Sequence, residues 1–364
     1  MKGMKLSLSA LALALLAGCG SGSSLEEQPD EQLRPVTIAL SDAPVDDAEQ
    51  VVITIDQLIL RPANGGADLV INTFTNSNEG LVNVDTISVD LLEYQGGAKF
   101  NILENLQLPA GTYQHVLLIG PFGDINKSYV VEANNVIKPL KVPSNELKLG
   151  QLVIASEATS PDFTIEFDLR QSMNYKPGPQ EYTLKPRGVR IVDDAAAGTI
   201  NGIVDEAQLD AGEGCDAWQN AEEGAVFYLY SGSPTASSLS DVADPDSANN
   251  GIAAGAALPF ATAPIYFDAA DNRYEFSIGA VPAGNYSLAL ACNTGLGDDP
   301  ERADGIAIPN PANALARFSL AAGKTVNCRF DSDSSGCSQA CSSGSAGTGW
   351  VTCISATVNG SPAW

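Results

Sequence analysis

The sequence has little of the chemistry that most enzymes and metal centres use. His115 is the single histidine among 364 residues, and no two cysteines are spaced as C-x-x-C, so zinc is a poor expectation. No G-x-S-x-G segment occurs, and a Ser-His-Asp triad would require His115, which lies in an alternating segment with Tyr113 and Leu117. We therefore expect a non-catalytic protein with His115 as a strand residue. A two-carboxylate hydrolase acting on polysaccharide or peptide stays as an alternative, because 44 acidic residues are present.

Basic residues are also scarce. The chain has 19 Lys and Arg residues and 44 Asp and Glu residues, which gives a net charge of -25 and a pI near 4.1. Such a chain is repelled by phosphates, so nucleic acid is excluded as a partner, and so is electrostatic docking on anionic lipid. The acidity keeps an exported protein soluble and can also favour a cation such as calcium.

A long apolar run is missing as well. Residues 6–16 are apolar except for two serines, which is too short to span a bilayer, and they follow the basic lead Met1–Lys5. This pattern predicts a secretory signal over residues 1–18. The ending Leu16-Ala17-Gly18-Cys19 resembles a bacterial lipobox. The resemblance implies cleavage before Cys19, a lipid on its sulfur and anchoring in a membrane; an ordinary secretory signal that ends in cysteine is the alternative.

The residue after Cys19 is Gly20 and not aspartate. By resemblance to the sorting pattern of enteric lipoproteins, this implies the outer membrane, with the body on its periplasmic face or at the cell surface. Residues 19–34 are rich in Ser, Gly, Glu and Gln, and we interpret them as a flexible tether.

Six cysteines remain if Cys19 carries lipid, and all lie in the C-terminal half. An even number in an exported chain predicts disulfides, although six cysteines allow 15 pairings and the sequence does not choose among them. The disulfide candidates are Cys215, Cys292, Cys328, Cys337, Cys341 and Cys353.

From Val36 onward the pattern is that of many short strands separated by Gly, Pro, Asn and Asp turns. It predicts an all-β protein with two β-sandwich domains of the immunoglobulin or prealbumin type in tandem and a disulfide-rich tail. The domains are 35–193 and 199–331, joined at the polar segment Asp193–Gly198, which we expect to lack structure. The tail is 332–364.

Four details of this pattern can be checked directly. Val51–Leu60 is predicted as one central strand, and a short helix is expected around Leu91 or Leu103. The strand Phe163–Leu169 alternates, with Phe163, Ile165, Phe167 and Leu169 on one face and Thr164, Glu166 and Asp168 on the other. The loop Ser231–Ala263 has a length typical of functional or disordered segments, and its composition slightly favours disorder.

A weak internal repeat links the two domains. Leu108-Pro109-Ala110-Gly111-Thr112-Tyr113 recurs as Val281-Pro282-Ala283-Gly284-Asn285-Tyr286. Each copy predicts a turn that enters an apolar strand, with the tyrosine ring in the sandwich and its hydroxyl hydrated or hydrogen-bonded.

The first domain contains a series of short motifs in a defined order. They are Ser41-Asp42-Ala43-Pro44, Ile55-Asp56, Val89-Asp90-Leu91-Leu92, Leu108–Tyr113, Val142-Pro143-Ser144, Phe167-Asp168-Leu169-Arg170 and Leu184-Lys185-Pro186. In these motifs the domain resembles a family of exported bacterial and archaeal proteins, the domain of unknown function DUF4382. The resemblance covers about residues 34–193 and implies a β-rich exported domain without an established reaction.

The second half is similar to carboxypeptidase-regulatory-like and prealbumin-like sandwich domains, through Gly198–Val204 and Val281–Tyr286. The loop Ser231–Ala263 and the cysteines depart from that pattern, so the strand order is left open. Together, the export signal, the composition and the two resemblances predict a non-catalytic binding or structural module of the envelope whose partner is a glycan or an envelope protein.

One candidate cation site and one candidate aromatic site stand out. Asp331 and Asp333 have the D-x-D-x-x-G spacing of some calcium loops, although the downstream Glu of an EF-hand is missing and a flexible acidic linker is the alternative. No other cofactor is expected. Trp218, Trp350 and Trp364 are candidates for stacking on sugar rings, which would suit a glycan-binding surface protein.

Overall fold

The structure is a computed structural model that describes residues 32–43, 48–212, 225–270, 272–292, 298–339, 357–358 and 361–362. The described residues from Gln32 onward belong to one compact unit. None of the described helices has the length and apolar character needed to cross a membrane. We call residues 32–193 the N-terminal part and residues 197–339 the C-terminal part.

The N-terminal part is built from three main sheets and a small hairpin. Their strand orders are β17-β14-β1-β8, β15-β16-β11-β10-β2-β7 and β12-β9-β3-β4, with β13 also paired to β9 and β5 paired to β6. The strands are β1 (Leu33–Ala43), β2 (Ala48–Ile55), β3 (Gln57–Pro62), β4 (Leu69–Ile71), β5 (Phe74–Asn76), β6 (Leu81–Val84), β7 (Ile87–Asp90), β8 (Phe100–Pro109), β9 (Gly111–Ile119), β10 (Tyr129–Glu132), β11 (Ile137–Lys141), β12 (Glu146–Leu149), β13 (Leu152–Ile154), β14 (Asp162–Asp168), β15 (Met173–Lys176), β16 (Glu181–Leu184) and β17 (Val189–Asp193).

The C-terminal part is a sandwich of two sheets, ordered β21-β22-β18-β25-β26 and β20-β19-β23-β24. Its strands are β18 (Ala197–Val204), β19 (Val226–Ser231), β20 (Ala261–Pro264), β21 (Tyr266–Asp268), β22 (Arg273–Pro282), β23 (Gly284–Ala291), β24 (Leu315–Leu320), β25 (Thr325–Phe330) and β26 (Ser335–Gln339). A small hairpin joins β27 (Thr357–Val358) to β28 (Ser361–Pro362).

Helix is minor in the described chain. α1 is Leu169–Ser172, α2 is Glu206–Asp210, and 3-10 turns lie at Leu91–Glu93, Asp194–Ala196 and Ala236–Ser238. The all-β prediction is therefore confirmed. The helix expected near Leu91 is the 3-10 turn that Asp90 caps, whereas Leu103 lies in β8.

Each part has its own apolar core. In the N-terminal part, Ile38, Leu40 and Ile165 of the sheet that contains β1 and β14 point into a core that this sheet shares with the other two. In the C-terminal part, Phe227 packs between Phe276 and Phe330, with ring centroids 4.0 and 4.6 Å away. In a strand, alternate side chains point to the same face of the sheet. Apolar residues at alternate positions of these short strands therefore form both cores.

The prediction of a single strand over Val51–Leu60 is wrong. The run is divided at Asp56, and its halves β2 and β3 belong to different sheets. Gly120 packs against the turn at this point, because a Cβ there would lie 2.1 Å from the Thr54 carbonyl oxygen. Both halves are apolar and rich in β-branched residues, so the composition does not indicate that the chain passes from one sheet to another at Asp56.

The expectation that Asp193–Gly198 lacks structure is also wrong. β17 leads through the 3-10 turn Asp194–Ala196 directly into β18. Asp193 caps this turn through the Ala195 N–H, and Lys99 forms a salt bridge with Asp194.

The slight preference for disorder in Ser231–Ala263 is wrong as well. Val242 and Ala243 are fully buried, and Val242 forms a third apolar cluster with Tyr228 and Tyr230 of β19. Strand β19 is buried on both faces because the sandwich covers one and this loop covers the other. The sequence shows the loop's small polar residues but not the apolar face that they cover.

The repeated turns behave as predicted. The Tyr113 hydroxyl donates to the carbonyl oxygen of Pro109, and the Tyr286 hydroxyl donates to that of Pro282, both at 2.8 Å. Both rings are buried. Each tyrosine thus closes its own strand-to-strand turn, β8 to β9 and β22 to β23, as tyrosine corners do in other sandwiches.

Candidate functional site

The cysteine predictions are tested only in part by the described residues. Cys328 and Cys337 form a disulfide between directly paired positions of β25 and β26. Cys292 is buried and also disulfide-bonded. Cys19, Cys215, Cys341 and Cys353 lie outside the described residues, as do Trp218, Trp350 and Trp364.

The candidate calcium ligands lie in the turn between β25 and β26. Asp331 Oδ1 accepts hydrogen bonds from the backbone N–H groups of Asp333 and Ser334 at 3.1 and 2.6 Å, and Arg329 approaches its Oδ2. No group of three or more His, Cys, Asp or Glu side chains suited to a metal occurs within the described ranges. Calcium binding by this turn stays a prediction.

His115 is an exposed residue of β9. A register shift opposite Arg61 and Pro62 interrupts the expected alternation, so Tyr113 and Val116 are buried while His115 faces outward. Its place in a strand is confirmed. Its expected position on the same face as Tyr113 is wrong, because the bulge adds one residue to this strand.

The most unusual chemistry lies on the second face of β14. The predicted alternation is confirmed, but Thr164, Glu166 and Asp168 are 0, 1 and 0 % exposed. The C-terminal part covers this face through β20 and β22. Charged side chains that the pattern places on a polar face therefore lie inside the molecule, between its two parts.

Asp168 is the centre of this interface. Its carboxylate accepts hydrogen bonds from the backbone N–H and the hydroxyl of Thr262, at 2.7 and 2.8 Å, across the interface. It also caps α1 by accepting from the backbone N–H and the side-chain amide of Gln171. Burial raises the pKa of Asp168, and the Gln171 side chain, both Thr262 donors and the charge of Arg190 oppose that rise because they stabilise the carboxylate.

Glu166 faces Arg190 on the neighbouring strand β17. Their closest charged atoms are 3.9 Å apart, and burial raises the pKa of Glu166 to about 7. The Arg190 guanidinium also reaches the carbonyl oxygens of Gly279 and Ala280 in β22 and lies 5.0 Å from the ring centroid of Phe260. One arginine of the N-terminal part thus contacts two elements of the C-terminal part.

A second buried pair joins Arg170 in α1 to Asp298. Arg170 Nη1 lies 3.4 Å from Asp298 Oδ2, and both side chains are almost fully buried. The Tyr228 hydroxyl donates to the same carboxylate oxygen at 2.5 Å. Burial raises the pKa of Asp298 to about 6, although Arg170 and Tyr228 oppose the rise.

A partly exposed set of ion pairs forms the rim of the interface. Lys185 bonds Asp244 at 2.9 Å and Glu301 at 3.0 Å, and Lys176 bonds the same Glu301 oxygen at 2.7 Å. The hydrogen bonds from these lysines hold the pKa of Glu301 down at about 2. In each of these pairs the N-terminal part supplies the cation and the C-terminal part supplies the acid.

The arrangement binds the two parts to each other and is closed to substrates. The role of these side chains does not follow from the sequence, because alternation alone cannot tell a hydrated polar face from a covered one. A signal was nevertheless present. Two of the DUF4382 motifs, Phe167-Asp168-Leu169-Arg170 and Leu184-Lys185-Pro186, contain three of the residues that form the interface.

A family comparison supports the resemblance in the N-terminal part. Residues 35–186 match the family model described as "Domain of unknown function (DUF4382)". No curated protein matches the chain.

Several solved structures show distant similarity. The fimbrial anchor protein Mfa2 from Porphyromonas gingivalis is 8 % identical, with 84 % of this chain and 95 % of that one covered and a TM-score of 0.22. A candidate cell adhesion protein from Bacteroides ovatus is 11 % identical (85 % and 96 % covered, TM-score 0.21), and the minor pilin GBS52 from Streptococcus agalactiae is 13 % identical (86 % and 99 %, TM-score 0.17). At these values the similarity carries no argument about function.

Proposed function

We propose that this protein, whose residues 35–186 match DUF4382, is an exported lipoprotein that acts without catalysis as a binding or structural module of the cell envelope. In this proposal Cys19 carries the lipid, the outer membrane holds the anchor, and the folded body is presented as one unit. The observation that carries the proposal is the use of buried charge to join the two parts of the body.

The interface argues for a structural use of groups that could otherwise suggest catalysis. Glu166 and Asp298 have the raised pKa values that general acids in active sites often have. A general acid must reach the atom that it protonates. Both side chains are instead almost completely buried beside Arg190 and Arg170. They are better suited to hold two sandwiches in one orientation than to act on a substrate.

The position of β1 agrees with an anchored body. Only residues 20–32 separate Cys19 from the first residue of β1, and thirteen extended residues reach at most about 45 Å. β1 is paired on both sides, in parallel with β14 and antiparallel to β8. A pull on the tether would therefore be borne by a central strand and not by a loosely attached end.

The anchor is tested by Cys19→Ala in the natural host, with Ser21→Ala as the matched control. We expect Cys19→Ala to leave the membrane fraction and to lose incorporation of labelled fatty acid, while Ser21→Ala keeps both. Membrane association of Cys19→Ala at the level of the control would contradict the anchor. Protease treatment of intact cells then distinguishes exposure at the cell surface from a periplasmic position.

The absence of catalysis is tested with the purified full chain on polysaccharide and peptide substrates. We expect no turnover. Turnover that disappears when one carboxylate is replaced, in a variant that melts like the parent, would replace this proposal with the hydrolase alternative.

A further inference from the structure

A cleft of about 450 Å³ opens in the C-terminal part. Three segments line it, which we call the floor (residues 237–241), the first wall (Gly251 and residues 253–256) and the second wall (residues 303–306). The floor and the first wall both belong to the long loop after β19. A volume of this size is within the range of small-molecule sites.

Hydrogen bonds within the chain connect the floor to the second wall. Asp241 is 1 % exposed, and its Oδ2 accepts from the backbone N–H groups of Asp304 and Ile306 at 2.8 and 3.1 Å. Gly251 allows the two walls to approach, because a Cβ there would lie 2.8 Å from the Ala303 carbonyl oxygen. A cleft that is already formed does not need to be ordered when a ligand binds.

The lining residues determine what the cleft can bind. It contains no Lys, Arg or His, which disfavours phosphates, sulfates and acidic sugars. Leu239 and Ile306 are its only large apolar residues, so a lipid chain would find little apolar surface. The Asp304 carboxylate accepts from Arg302 and from the Asp299 N–H, and Asp241 has its own donors. These carboxylates therefore do not require a cation.

The remaining polar groups suit a ligand rich in hydroxyls. Ser238 donates to the Thr235 carbonyl oxygen at 2.8 Å and accepts from the Thr235 hydroxyl at 3.1 Å, while Ser240 donates to Asp241 at 3.1 Å. A hydroxyl oxygen has two lone pairs, so each serine can still accept a further hydrogen bond. The wall formed by Ala253, Ala254 and Gly255 has no bulky side chain that would keep a flat, polar ring from the backbone.

From these observations we propose that the cleft binds a short, neutral saccharide. The proposal rests on the function proposed above and names the ligand class of the binding module. It also gives a role to the Ser231–Ala263 loop, whose ordered conformation over more than thirty residues, with little regular structure, is typical of functional loops.

The test uses the full chain purified in detergent on an array of neutral, sialylated, uronic-acid and sulfated oligosaccharides, followed by titration of the neutral ones that bind. Ala254→Trp places a large ring in the cleft from an exposed position. Ala63→Trp, at an exposed position after β3, is the matched control. Ser240→Ala removes one hydroxyl without filling the cleft. Thermal melts of all variants report folding.

We expect neutral oligosaccharides to bind, with affinity lowered at least about tenfold by Ala254→Trp, lowered several-fold by Ser240→Ala and unchanged by Ala63→Trp. Binding of acidic glycans only, binding that Ala254→Trp leaves unchanged, or no binding of any neutral oligosaccharide would overturn the saccharide site. Loss of membrane association in Cys19→Ala is measured separately, so failure of the site and failure of the proposed function are distinguishable.

Discussion

Thr262 donates two hydrogen bonds to Asp168, one from its backbone N–H and one from its hydroxyl, although 94 residues separate them in the chain. Thr262 lies in β20 of the C-terminal part, and Asp168 ends β14 of the N-terminal part. The carboxylate also caps α1, which carries Arg170 toward Asp298. One side chain thus fixes both the start of α1 and a contact between the two parts.

Asp168→Ala is expected to lower the free energy of unfolding by about 3–5 kcal/mol, because Thr262 and Gln171 lose their buried acceptor. Asp162→Ala, at an exposed position of the same strand, is the control and should change it by less than about 0.5 kcal/mol. Chemical denaturation at pH 7 measures both. Equal, small effects of the two variants would mean that Asp168 does not hold the interface.

Arg170 and Asp298 are expected to be energetically coupled. Each single alanine variant removes one charge of this buried pair, whereas the double variant removes both. The double variant should therefore cost clearly less than the sum of the single ones, by about 2 kcal/mol or more in a double-mutant cycle. Arg61 and Asp68 form an exposed pair for comparison, and their expected coupling is much weaker because water screens the two charges. Additive effects at Arg170 and Asp298 would contradict the pairing.

Glu166 should make stability depend on pH. Its pKa of about 7 lies above its ordinary value of 4.5, so between these values the folded state binds more protons than the unfolded state. Its contribution is therefore complete at low pH and is lost as the pH rises through 7. Glu166→Gln removes this titration and should be more stable than the parent at pH 8 by about 1–3 kcal/mol, with little difference at pH 5.

The measurement for Glu166 is a set of denaturation curves from pH 5 to pH 8. Glu49→Gln, an exposed residue of β2, is the matched control and should follow the parent at every pH. A Glu166→Gln variant whose difference from the parent is the same at pH 5 and pH 8 would show that Glu166 does not titrate in this range.

The two tyrosine corners should contribute equally. Tyr113→Phe and Tyr286→Phe each remove a hydroxyl that bonds a proline carbonyl at 2.8 Å while the buried ring stays. Each variant is expected to lose about 1 kcal/mol of stability. Tyr175→Phe is a control because Tyr175 is 37 % exposed. If Tyr113→Phe and Tyr286→Phe lose no more stability than the control, the hydroxyl hydrogen bonds of the corners do not stabilise the fold.

The cysteines after Cys19 are expected to be fully oxidised in the exported protein. Mass analysis without reduction should find no free thiol among Cys215, Cys292, Cys328, Cys337, Cys341 and Cys353, and peptide mapping should recover the bond between Cys328 and Cys337. The same protein retained in a reducing compartment, through deletion of residues 1–18, is the comparison and should show free thiols. Several free thiols in the exported form would contradict the disulfide prediction.

Local pattern was enough to predict much of the fold. The alternation in Phe163–Leu169 and the two Pro-Ala-Gly turns depend only on residues close together in the chain, and the structure contains each of them. The family resemblance also came from short segments, and the match over residues 35–186 confirms it there. In a strand, the spacing of residues in the sequence determines which face of the sheet each one occupies. Alternation and turn motifs can therefore be predicted without the tertiary structure.

What covers each face was decided only by the tertiary structure. The alternation of β14 placed Glu166 and Asp168 together, but whether water or a second sandwich lies above them depends on residues about 90 positions later. The same is true of the Ser231–Ala263 loop, whose small residues become ordered because they pack on Tyr228 and Tyr230. Burial of a charge is costly unless distant partners compensate it, so such sites arise only when the chain has folded and brought those partners together.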